Sequence, residues 1–171
     1  MARDIVIWPH KVLTTPTQPV TDFGENLTTL LDEMFEALKK AEGIGIAANQ
    51  VGVPLRCSWV GREDGTFFEI INPQILERSG DVTLEEGCLS VPDQFAPTPR
   101  FHKVKVKYQD RTGAWHEVEA EGKLAHVFQH EIGHLDGQVF VELLAPLKRS
   151  LIREKMLKLQ KTLGRRKKSG E

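Results

Sequence analysis

His130-Glu131-Ile132-Gly133-His134 sets two imidazoles four residues apart with a carboxylate beside the first. On a helix that spacing turns both rings to one face, where they can share a divalent ion. It also leaves Glu131 near enough to take a proton from water at that ion. A catalytic site of this kind needs three protein ligands and an open position. His126 lies four residues before His130, but eight residues of helix rise about 12 Å between His126 and His134. Ligand atoms must sit about 2 Å from a common metal, so His126 reads as a pocket-wall or core residue. Cys88, in Glu85-Glu86-Gly87-Cys88-Leu89-Ser90, is the better third ligand. Its neighbouring glycine permits close backbone approach, and a thiolate is a strong donor. Cys57, within an apolar run, reads as a small buried hydrophobe.

The same H-E-x-x-H string marks zinc endopeptidases, which are the rival reading. In the extended peptidase pattern H-E-x-x-H-x-x-G-x-x-H the third histidine would fall at Phe140, which cannot ligate. A further unusual string, Gly43-Ile44-Gly45-Ile46-Ala47-Ala48-Asn49-Gln50, ends in an amide side chain. A phosphate-binding loop would need a preceding strand and a Gly-Lys-Ser/Thr, and neither is present; a plain structural loop stays open as an alternative.

The elements that must carry these residues follow from periodicity. Leu27, Leu30, Leu31, Met34, Phe35 and Leu38 predict a helix over 26–41, with Asn26 or Thr28 as N-cap and Gly43 just past its end. Short strands are expected at 55–60, at 67–71 before Asn72-Pro73, and at 103–108, where valines and Tyr108 alternate with lysines that should face water. Asp110 to Gly113 reads as a turn into a strand at 115–120, giving a hairpin. After Gly122 the period changes to that of a central helix ending near Gly137. Leu147, Leu151, Ile152, Met156, Leu159 and Leu163 form the stripe of a terminal helix at about 146–164, followed by a short basic tail. Strands followed by a buried helix and a terminal helix predict an α+β fold, with mixed or antiparallel sheets around the metal-binding helix.

A chain of 171 residues, 40% hydrophobic, is the size of one domain with one core, so 1–171 is expected to be a single catalytic unit. There is no membrane-length apolar run, and the first residues do not resemble a signal peptide, so a cytoplasmic location is expected. Two cysteines are too few for a disulfide scaffold. The net charge of -1 conceals an asymmetry: residues 147–168 hold ten basic groups against Glu154, a net +9, and residues 1–146 carry -9. An acidic body with a basic tail points to a polyanionic partner for the tail. A ribosome- or RNA-binding protein with a structural metal is therefore a second, non-enzymatic alternative. It leaves Glu131 and Gln50 without a purpose.

Taken together, the strings at 43–50, 86–90 and 129–134 resemble the three signatures of the peptide deformylases, G-φ-G-φ-A-A-x-Q, E-G-C-φ-S and Q-H-E-φ-D-H, with φ apolar, in the same order. The similarity runs from near Ile5 to the terminal helix. One departure is Gly133, where the third signature has Asp. The resemblance implies that Cys88, His130 and His134 hold the metal, with water at the fourth position, and that Glu131 is general base and then general acid. It implies that the Gln50 amide and the Leu89 N–H stabilise the developing oxyanion. The substrate, an N-formylmethionyl nascent peptide, would lie as an added strand near Gly45 and Gly87, with its methionine in an apolar pocket lined by Ile44, Leu84 and Val127, and by His126 and His130 as further wall residues. Family members use Fe²⁺ in the cell and accept Ni²⁺, Co²⁺ or Zn²⁺. Those of bacterial type have a C-terminal helix that docks on the ribosome near the exit tunnel.

Overall fold

The computed structural model describes residues 3–168 and residue 170. The elements run α1 (Glu25–Lys40), β1 (Gly45–Ala47), β2 (Cys57–Gly61), β3 (Phe67–Ser79), β4 (Val82–Cys88), β5 (Val91–Arg100), β6 (Lys103–Gln109), β7 (Trp115–Glu121), α2 (Gly122–Leu135) and α3 (Pro146–Lys168). Five strands form one sheet in the order β1-β2-β3-β6-β7, and β4 and β5 form a second. Each of these strand pairs is antiparallel. This is the α+β arrangement expected, with α2 at its centre.

The β1–β3 part of the five-stranded sheet is covered on both faces because its apolar residues alternate, whereas β6 and β7 bury only Val104, Val106 and Ala120. Ile71 and Ile46 pack with Leu31, Met34 and Leu38 of α1. Their neighbours Ile70 and Val60 pack with Phe128 and Ile132 of α2. Consecutive residues of a strand point to opposite faces, so Ile70-Ile71 supplies one core each. Helix α2 is buried nearly all round, from Ala125 to Ile132 and again at His134 and Leu135, the pattern of a helix enclosed by protein. Left-handed Gly137, at φ 81°, ends it.

Several local expectations shift. Helix α1 is capped by Gly24, and neither Asn26 nor Thr28 serves; the Gly24 N–H donates to Asp22 Oδ1 at 2.9 Å. β3 does not stop at Ile71. Asn72 adopts φ 51°, and a bulge between Ile71 and Gln74 absorbs Pro73 before pairing with β6 resumes. A bulged residue is left out of the ladder, so the missing proline N–H costs no bond. β4 and β5 have no counterpart in the sequence reading. Pro97 and Pro99 argue against a strand, but they are two apart, so both lack the N–H on the same side. A two-stranded ladder leaves one side of each strand unpaired. On α3 only Ile152 and Met156 of the apolar stripe are buried; Leu147 is 75% exposed. The helix also runs past 164 to Lys168.

Candidate active site

Helix α2 delivers both histidines, and the β4–β5 hairpin delivers the thiol. His134 Nε2 lies 3.2 Å from His130 Nε2 and 3.2 Å from Cys88 Sγ, and the three donor atoms all lie within 4.8 Å of one another. Tetrahedral bonds of about 2.0–2.3 Å place donors about 3.3–3.8 Å apart, so the cluster fits one ion with little adjustment. A soft sulfur with two imidazole nitrogens suits Zn²⁺, Fe²⁺, Co²⁺ or Ni²⁺ and does not suit Mg²⁺ or Ca²⁺.

Burial shifts two of the three donors. Burial pushes the His134 imidazole well below its usual range, which keeps it neutral with a lone pair. Burial drives the Cys88 thiol upward, and the charges of Glu131 and Glu86 add to the rise, so within the protein alone the proton stays on sulfur. A cation is what would release it.

Glu86 orients His130. Its carboxylate accepts from Arg100 Nε at 2.9 Å and Nη2 at 2.8 Å, and also from His126 Nε2 and His130 Nδ1. Burial alone would raise Glu86, but these hydrogen bonds outweigh it and hold the carboxyl far below the usual range. As an acceptor-only anion it fixes the proton of His130 on Nδ1, leaving Nε2 for metal. Neither the role of Glu86 nor that of Arg100 is legible in the sequence. Their pairing depends on the hairpin, and only the demand of a ligating histidine for a partner on its second nitrogen pointed to either residue.

Glu131 is buried. One carboxylate oxygen, Oε1, is 3.9 Å from His130 Nε2, and Oε2 has no partner among the described residues. Burial raises its pKa well above the ordinary carboxyl value, and the nearby Glu86 charge adds to that. Gly45 makes room for it, since a β-carbon there would sit 2.8 Å from Oε1. Gln50 is fixed at its other end: Oε1 accepts from the Ala47 N–H at 2.9 Å, so Nε2 turns to Ser90 Oγ at 3.2 Å and Cys88 Sγ at 3.5 Å. The string at 43–50 is thus β1 followed by a 3₁₀ turn (Ala48–Val51) that aims an amide at the cluster.

These groups lie at the floor of a cleft of about 790 Å³. Ile44, Gly45, Gln50, Leu84, Gly87, Cys88, Leu89, His126, Val127, His130 and Glu131 all line it, while His134 is buried beneath. Leu89 sits in the two-residue turn after Cys88. Phe95, not singled out in the sequence, also lines the cleft with its ring against Gly87, where a β-carbon would collide with it. Phe140 stacks beside His130 with ring centroids 6.1 Å apart and offers no donor, which removes the third ligand a zinc endopeptidase of that pattern would need.

A Cys-His-His cluster with an adjoining buried carboxylate, at the floor of a cleft in an α+β fold, is the equipment of a metal-dependent hydrolase. A family model of polypeptide deformylase matches residues 2–150, and the chain belongs to that family. The peptide deformylase of Nautilia profundicola is 46% identical over 165 residues, covering 92% of this chain and 95% of that one. A crystal structure of a peptide deformylase from Legionella pneumophila aligns with a TM-score of 0.89 at 40% identity, covering 96% of this chain and 99% of that one. The peptide deformylase from Ehrlichia chaffeensis in complex with actinonin aligns with a TM-score of 0.88 at 37% identity, covering 92% and 96%.

Proposed function

We propose that this cleft removes the formyl group from the N-terminal methionine of nascent polypeptides and releases formate. The observation that carries the reading is the convergence of Cys88, His130, His134 and Glu131 at the cleft floor, in a chain of the polypeptide deformylase family. Cys88, His130 and His134 would hold one divalent ion, Fe²⁺ in the cell, with Zn²⁺, Ni²⁺ or Co²⁺ as substitutes. When bound, the ion supplies Lewis acidity and makes water more acidic.

The chain's own groups do the rest. Glu131, with a raised pKa and an unpartnered Oε2, takes the proton of the attacking water and passes it to the departing amine nitrogen. The Gln50 amide and the Leu89 N–H donate to the oxygen on which charge develops. The substrate enters extended between two strand edges that no other strand covers among the described residues, those of β1 and β4. Gly45 and Gly87 lie on those edges beside its backbone, and Ile44, Leu84 and Val127 receive the methionine side chain.

The whole chain acts as one catalytic domain in the cytoplasm. No described helix is long and apolar enough to cross a membrane. Helix α3 docks on ribosomal RNA near the exit tunnel: its basic residues from Arg153 to Lys168 are exposed, and residues 151–171 lie beyond the family match. The test of the reaction is formate release from formyl-Met-Ala-Ser by the anaerobically metal-loaded enzyme, alongside casein. We expect formate and intact casein. Metal-loaded protein that cuts casein, or releases no formate, overturns the reading.

A further inference from the structure

His126 was expected to form part of the pocket wall. It does line the cleft, but it also belongs to a buried polar cluster that ends at a metal ligand. Glu86 has two oxygens, and each is claimed twice. Oε1 takes His130 Nδ1 and Arg100 Nη2, while Oε2 takes His126 Nε2 and Arg100 Nε. The side chains of His126, Glu86, Arg100 and His130 are 5%, 6%, 8% and 9% exposed, so water does not substitute for any of these bonds. His126 and His130 stand one helical turn apart on α2 and reach down the same face to one carboxylate.

From this geometry we infer that His126 is a positioning residue, which acts through Glu86 to fix the ring of His130 for metal binding. Two imidazoles on opposite oxygens, with a guanidinium donating to both, together restrain the carboxylate. Without the His126 donor, Oε2 keeps Arg100 Nε alone, and the carboxylate loses one of the four hydrogen bonds that resist its turning about the Cγ–Cδ bond. The His130 ring would turn with it. Outer partners of metal-bound histidines typically contribute about 10- to 100-fold in metal affinity.

The inference rests on the metal-site reading above, and the experiment separates the two. Co²⁺ is titrated into metal-free protein without peptide, so that contacts of His126 with substrate cannot contribute. Affinity is read by chelator competition and ligand geometry by the visible d–d bands. His126→Phe and His126→Leu remove the donor at larger and smaller volume; His126→Gln restores an N–H where the ring had one. The expected result is binding weakened about 10- to 100-fold with altered d–d bands in Phe and Leu, and recovery of both in Gln. Thermal unfolding of the metal-free variants identifies any that misfold, and the comparison then rests on the folded donor-free variant. Wild-type affinity and spectrum in that variant would overturn the inference, as would an equal loss in Gln. Failure of the wild type to bind one Co²⁺ per chain, or full binding in Cys88→Ala, would instead overturn the metal site itself.

Discussion

Glu131 is suited to its proposed work by a placement that destabilises the metal-free fold. Its folded pKa lies above the ordinary carboxyl value, so the folded state favours the protonated form. The stability linked to that preference is complete below pH about 4 and is lost as pH rises through the folded pKa. Glu131→Gln, an uncharged near-isostere, should therefore match metal-free wild type near pH 4 and unfold at a higher temperature at neutral pH. Its formate release should fall about 10²- to 10⁴-fold with metal still bound. A variant with near-normal turnover at full occupancy would remove Glu131 from the chemistry. Cys88→Ser should lower metal content or change the ion retained, because a hydroxyl is a poorer and harder donor than a thiolate; elemental analysis of the purified variant reads this. Both residues were legible in the sequence, since ligand types and a fixed helical spacing survive without coordinates. Glu86 and Arg100 were not legible as a pair, because residues fourteen apart meet only once the hairpin register is known.

At the scale of elements, α2 combines a demanding position with a weak local choice. Gly133 lies inside it, in place of the Asp of the family signature, and a β-carbon there meets nothing closer than Gln138 O at 3.7 Å. Gly133→Ala should therefore add up to about 1 kcal/mol by helix propensity alone, visible as a raised unfolding midpoint with metal content unchanged. A loss of stability would mean that the open backbone at Gly133 matters to the turn beyond, where its carbonyl accepts from Asp136 N at 3.0 Å and Gln138 N at 2.8 Å. Periodicity revealed α1, α2 and the β6–β7 hairpin, whose Val104 and Val106 are buried. It missed β5 because its prolines look like strand breakers unless the strand's open side is known, and without β5 the run at β4 has no visible partner. The apolar stripe of α3 was legible as a helix but not as a surface, since only tertiary packing decides which of its leucines are covered.

For the whole molecule, the separation of charge between body and tail makes a prediction that activity assays alone would not reach. Truncation after Gln160 keeps the bond from its Nε2 to Ile7 O at 2.8 Å and removes Lys161 and the basic run Arg165–Lys168. Co-sedimentation with ribosomes should weaken, and the loss should shrink as salt rises, while turnover of a formylated tripeptide stays unchanged. Equal pelleting of truncated and full-length protein at low salt would leave α3 as a packing helix only. The open edge of β1 carries a different consequence. It is three residues long, Gly45–Ala47, which at about 3.4 Å per residue is a grip of roughly 10 Å. On that side, the proposed docking would inspect the start of a polypeptide and almost nothing after it. Generality would then come from brevity: chains with unrelated sequences would present much the same few backbone atoms to β1, and a strand too short to template a long partner also gives stray unfolded protein little to seize.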